Sequence, residues 1–176
     1  THLQQNEKHG STCKLYDNDF QQDKKRNPSM TELDPIAGQA PSIAIGQSLT
    51  CRRMTAEDLD QVVRNENLSY DSPWTRRIFQ DCISAGYECW VISDGIKVLC
   101  HGVLSVAVGE SHLLTLCVHP QARRHSLGRQ LLRKLLTEAR VTGAADCFLE
   151  VRPSNEAARG LYYEFGFIQV GERRGY

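Results

Sequence analysis

The sequence predicts one α/β domain: a mixed, mostly antiparallel sheet with helices on both faces. Three observations carry that prediction. The first is LLTLCVHPQARRHSLGRQLLRKLL from Leu113, an apolar strand, a turn of small and basic residues, and an amphipathic helix. The second is CFLEVRPSNEAARGLYYEFGFIQVG from Cys147, which reads as strand, helix and strand. The third is a pair of apolar runs, Tyr87 to Ile92 and Lys97 to Val108, separated by the hairpin dipeptide Asp94-Gly95. Strands arranged around a strand–helix–strand unit imply parallel pairing somewhere in an otherwise antiparallel sheet.

Order is expected from Leu49. Ser48 to Met54 reads as a first strand. Thr55-Ala56-Glu57-Asp58 has the form of a capping box, so a helix is expected from Ala56, with Leu59, Val62 and Val63 as its apolar face. Pro73 reads as the start of a second helix, because Trp74, Ile78, Phe79, Cys82 and Ile83 follow at helical spacing. Gly86 ends it. His112 to Val118 is a further strand. The stripe Leu127, Leu131, Leu132, Leu135, Leu136 and Ala139 then defines the strongest helix, closed by Gly143. Asp146 to Val151 is a strand. Ser154 or Asn155 caps a helix carrying Ala158, Leu161, Tyr162 and Phe165, and Phe167 to Glu172 form a last strand.

Residues 1–48 differ in kind. They are polar over most of their length and lack an apolar period, so they are expected to be a disordered tail or an added leader ahead of a folded domain at 49–176. With 176 residues and 40% apolar side chains there is material for one core. A formal charge of zero argues against a surface that binds nucleic acid directly. No apolar run approaches the roughly 18 residues that a membrane helix needs. Seven cysteines with no C-x-x-C pair do not form a zinc pattern, and no metal is expected. They read as reduced thiols of a cytoplasmic protein. Nothing in the sequence sets the oligomeric state.

The chemistry is read from the two long blocks. A helix that begins just after a small, basic turn aims free N–H groups and partial positive charge at an anion. Gly128 adds a position without a Cβ wall. Downstream, a strand ends on the carboxylate Glu150, and a helix places the phenol Tyr162 about two turns along it. Tyr163 points about 100° away around that helix. An anion cradle followed by a carboxylate and a phenol suggests acyl transfer from a nucleotide-bearing carrier. His119 and His125 lie in the turn and read as surface histidines.

Arg123, Arg124, His125, Ser126, Leu127 and Gly128 resemble the Gln/Arg-x-x-Gly-x-Gly/Ala turn of the GNAT superfamily of acetyl-CoA-dependent N-acetyltransferases. SPWT at 72–75, LEVRPSNEAARGLYYEFGF at 149–167 and ERRGY at 172–176 resemble the bacterial ribosomal-protein alanine acetyltransferases within it. The resemblance implies the GNAT fold and acetyl-CoA as cosubstrate. It implies that Arg124, His125, Ser126, Leu127, Gly128 and Arg129 wrap the pyrophosphate, mainly through backbone N–H. Leu116, Cys117 and Val118 would run beside the pantetheine arm as a strand does, and Asn155 would hold the cofactor from the other side. Glu150 would be the general base and Tyr162 the general acid. The acceptor would be the N-terminal peptide of a ribosomal protein, bound mainly by the Glu66–Trp74 region. An acetyltransferase for another amine and a non-catalytic acyl-CoA-binding module remain open alternatives.

Two departures from the pattern set further expectations. Ser126 replaces the first glycine of the turn. A position needing positive φ would cost Ser roughly 1–2 kcal/mol. The reading adopted is that the position needs only a small residue. The family continues with one more strand after a segment like ERRGY, whereas this sequence stops at Tyr176. The last strand, and part of the acceptor pocket with it, is therefore expected to be missing.

Overall fold

The computed structural model describes residues 10–15 and 49–173. Its strands are β1 (Gly10–Leu15), β2 (Thr50–Arg53), β3 (Glu88–Ser93), β4 (Val98–Ala107), β5 (Glu110–Val118), β6 (Asp146–Val151) and β7 (Ile168–Arg173). Its α-helices are α1 (Leu59–Ser69), α2 (Arg76–Ser84), α3 (Leu127–Val141) and α4 (Glu156–Glu164). The strands form one sheet in the order β2-β3-β4-β5-β6-β1-β7. Only β5 and β6 run parallel, over Glu110–Leu113 against Asp146–Leu149. A parallel pair needs a crossover, and α3 supplies it.

Helices cover both faces, as the sequence pattern requires. β3 is buried along its whole length. Its Trp90 and Ile92 join the core built under α3, while Cys89 and Val91 join a second core with Leu59 and Val62 of α1 and Phe79 of α2. The alternation follows from the two-residue period of a strand. The predicted stripe of α3 is buried from Leu127 to Ala139. The helix seats closely because Gly102 of β4 has no side chain: a Cβ there would lie 2.8 Å from Leu135 Cδ1. The hairpin turn also forms as expected. Gly95 takes φ +92°, and Asp94 Oδ1 accepts N–H bonds from Ile96 (2.9 Å) and Lys97 (2.7 Å).

Three expectations are corrected. The chain enters α1 through a 3-10 turn at Ala56–Asp58 rather than a helix beginning directly at Ala56. Asp58 is pulled into that turn by the Thr55 N–H (2.8 Å) and by the two terminal guanidinium nitrogens of Arg52 (2.7 Å each). Pro73 and Trp74 lie outside α2, which starts at Arg76 with Thr75 as N-cap. Trp74 is held ahead of the helix by its own N–H, which donates to Glu66 Oε2 at 3.2 Å.

The third correction concerns the missing strand. The slot between β6 and β7 is filled by β1, antiparallel to both neighbours. Cys13 and Leu15 are 2% and 1% exposed and belong to the main core. Gly10–Leu15 are therefore strand rather than disordered tail; the rest of 1–48 lies outside the described residues. A six-residue segment shows too little period to be read alone. It folds here because both neighbouring strands satisfy its backbone groups.

Candidate active site

β5 and β6 pair only as far as Leu113 and Leu149, while β5 continues to Val118 against β4. The two strands therefore part, and a cleft of about 900 Å³ opens where they separate. Its walls come from the end of α1 and the following loop, the half of β5 from Leu113 onward, the start of α3, the end of β6 and one face of α4. The long sequence blocks meet here although Gly128 stands 22 positions before Glu150 and 34 before Tyr162.

At one end lies the α3 N-terminus. The first helical bond joins Gln130 N–H to Ser126 O at 3.0 Å. The amides of Leu127, Gly128 and Arg129 thus have no partner within the helix. Ser126 has φ +58° and Arg124 φ +65°, so the turn is left-handed at alternate residues. This overturns the reading that Ser126 needs only to be small. The position is left-handed, and the Ser126 side chain makes no cap bond to compensate. Gly128 also acquires a second role. A Cβ there would sit 3.3 Å from Val118 Cγ2 and 3.6 Å from Leu161 Cδ2, so its smallness lets α3 pack against β5 and α4. His125 is exposed and its Nδ1 lies 2.8 Å from Arg123 O. His119 Nδ1 accepts the Gln121 N–H at 3.2 Å, and partial burial with Lys97 and Arg123 nearby lowers its pKa. Arg123 spans to Ser69 Oγ at 3.3 Å, and Arg129 pairs with Glu164 at 2.5 Å.

Along the floor, Leu116, Cys117 and Val118 all line the cleft. Leu116 O accepts the Tyr70 hydroxyl at 2.8 Å, and the Cys117 thiol, buried, donates to Asn65 O at 3.6 Å. Burial pushes the Cys117 thiol up to about 11. Sequence reading did not single out Tyr70. The only available signal was its place inside the Glu66–Trp74 stretch, since its partner is 46 residues away.

Glu150, exposed near the end of β6, and Tyr162, 7% exposed on α4, line the cleft as well. The phasing of α4 agrees with the sequence. Tyr163 is 45% exposed, and its hydroxyl accepts from Arg159 Nη2 at 3.3 Å. Burial, reinforced by the neighbouring thiols of Cys13, Cys147 and Cys100, holds the Tyr162 phenol well above its ordinary pKa. Glu150 pairs in register with Thr12 of β1, so that strand supports the part of the cleft wall that carries Glu150. Asn155 lines the cleft as expected, but its Oδ1 is already the cap of α4, accepting the Ala158 N–H at 3.1 Å. Arg152 and Asp71 pair at 3.0 Å across the cleft mouth.

An anion-ready helix end, an open strand edge and a buried protonated phenol suit a diphosphate-bearing acyl carrier. Residues 55–167 match the profile of the acetyltransferase (GNAT) family, and the chain belongs to that family. It is an acetyl-CoA-dependent N-acetyltransferase. It is 31% identical over 127 residues to the ribosomal protein bS18-alanine N-acetyltransferase of Escherichia coli K12, covering 72% of this chain and 86% of that relative. The crystal structure of the ribosomal-protein-S18-alanine N-acetyltransferase from Escherichia coli matches with TM-score 0.66 and 29% identity, over 70% of this chain and 80% of that one. Ard1 from Thermoplasma volcanium matches with TM-score 0.67 at 22% identity, over 73% of this chain and 98% of that one, a likeness of fold. Among the described residues no helix is long and apolar enough to cross a membrane.

Proposed function

We propose that the enzyme acetylates the α-amine of an N-terminal alanine on a ribosomal protein in the cytoplasm. The observation that carries this reading is that Glu150 and the buried Tyr162 line the cleft together where β5 and β6 part. The likeness to a bS18-alanine acetyltransferase over most of both chains supports the acceptor.

Acetyl-CoA, when bound, supplies an activated acetyl thioester. The amides of Leu127, Gly128 and Arg129, within the turn from Arg124 to Arg129, hold its diphosphate. Leu116, Cys117 and Val118 line its arm, with Asn155 on the opposite wall. Glu150 takes the amine's proton directly or through water. Tyr162 keeps its own proton, because burial disfavours the phenolate, and its hydroxyl is the donor available to a leaving thiolate. An α-amine has a reference pKa of about 7.7–8.0 against about 10.4 for lysine, so it asks roughly 3.4 kcal/mol less of the base.

The test is a peptide with a free N-terminal alanine and an internal lysine, its product located by mass spectrometry. The α-amine should be acetylated, and blocking it should abolish labelling. Acetylation of the lysine instead would sink the assignment. Glu150→Gln and Tyr162→Phe should each lower kcat, by about 10²–10⁴-fold for the base, with acetyl-CoA binding kept. Tyr163→Phe should behave as the parent.

A further inference from the structure

One buried group in the cleft has no part in that mechanism. Glu66, on α1, is 1% exposed yet lines the cleft. Its carboxylate is bound from three separate elements. His101 Nε2 of β4 lies 2.9 Å from Oε1, Thr115 Oγ1 of β5 donates to Oε1 at 3.1 Å, and the Trp74 N–H of the α1–α2 loop donates to Oε2 at 3.2 Å. A carboxylate has about four lone-pair sites. Three are occupied, and one on Oε2 is left.

The charge is also uneven. His101 is fully buried, and its Nδ1 has no hydrogen-bond partner among the described residues. Among the described residues no lysine or arginine pairs with Glu66, so its carboxylate has no full counter-ion beside it. A buried charge with no counter-ion is costly, and the cost falls when a cation arrives. The cleft is where one can arrive.

We propose that Glu66 is the acceptor-recognition residue: its carboxylate receives the charged α-ammonium of the incoming protein N-terminus on the cleft floor, before Glu150 removes the proton. The proposal rests on the N-terminal acceptor reading above and adds the group that selects it. Glu66, His101 and Cys117 also stand close enough for one metal ion. The Cys117 proton is committed to Asn65 O, and burial keeps that thiol protonated, which favours the ammonium.

The test measures binding to the coenzyme A-loaded enzyme, where no turnover occurs. Two peptides are compared, identical except that lactic acid replaces the first alanine, so a neutral hydroxyl stands where the ammonium was. In the parent the alanyl peptide should bind at least about tenfold more tightly, the scale of one hydrogen bond to a charged group. Glu66→Gln should reduce the ratio to about twofold, while Glu150→Gln keeps the ratio and loses kcat. A merely structural Glu66 would weaken both peptides alike. The inference is overturned if the parent does not discriminate, if Glu66→Gln discriminates as the parent does, or if the purified parent carries stoichiometric zinc. Should Glu66→Gln not fold, Glu66→Asp replaces it and should retain more than half of the parent's discrimination on a logarithmic scale; loss of all of it would overturn the charge argument. Absence of α-amine acetylation would remove the acceptor reading itself. α-Amine acetylation with undiminished discrimination in Glu66→Gln removes only this step.

Discussion

At the scale of single residues, the fold concentrates strain and burial where the chemistry is read. Ser126 is the clearest case. A left-handed φ costs a non-glycine residue roughly 1–2 kcal/mol, and no side-chain bond at Ser126 offsets it. Ser126→Gly should therefore raise stability, by about 1 kcal/mol less the added chain entropy of glycine. A denaturant midpoint unchanged or lowered in that variant would show that the serine makes a favourable contact. Tyr162 and Tyr163 show how much of the site was readable residue by residue. Their neighbouring positions on one helix set which faces inward, and periodicity alone gives that answer. It cannot give the thiols of Cys13, Cys147 and Cys100 around Tyr162, which come from other strands. Glu66 was legible only as part of a stretch, because its partners lie 8, 35 and 49 residues away.

At the scale of elements, β1 is the decisive one. It separates β6 from β7 and pairs with both, so the strand bearing Glu150 would otherwise present an open edge. The thiols report on its seating. Among the seven free cysteines only Cys51 is exposed; Cys13 is buried and its pKa is raised by that burial, with Arg159 opposing. Iodoacetamide labelling of the native protein, followed by peptide mapping, should modify Cys51 first and leave Cys13 protected until unfolding. Labelling of Cys13 as fast as Cys51 would mean that β1 is not seated between β6 and β7. The wall proposed to take the acceptor behaves in a related way. α1 and the loop that follows it, through Trp74, are tied to β4 and β5 through Glu66 and Tyr70, which fixes a loop that turn chemistry alone leaves free.

At the scale of the whole molecule, one parallel strand pair inside an antiparallel sheet creates the cleft, and the α3 N-terminus points its amides at it. Acetyl-CoA at about 100 times its Kd should stabilise the enzyme by about 2.7 kcal/mol, a thermal shift of several degrees. Acetyl-pantetheine, which lacks the diphosphate, should shift the midpoint far less at equal concentration. Equal shifts would remove the diphosphate from the α3 turn. The sequence by itself carried a resemblance to the acetyltransferase family, and it determined the sheet-and-helix order from β2 onward, the stripe of α3 and the inward phase of Tyr162. These follow from local period and motif spacing, which a chain carries in its own residues. The tertiary structure alone decided three things: that residues 10–15 complete the sheet, that Ser126 is left-handed, and that Glu66, His101 and Thr115 share one buried carboxylate. Each depends on groups far apart in the chain, whose hydrogen bonds and burial exist only once the sheet has closed around them.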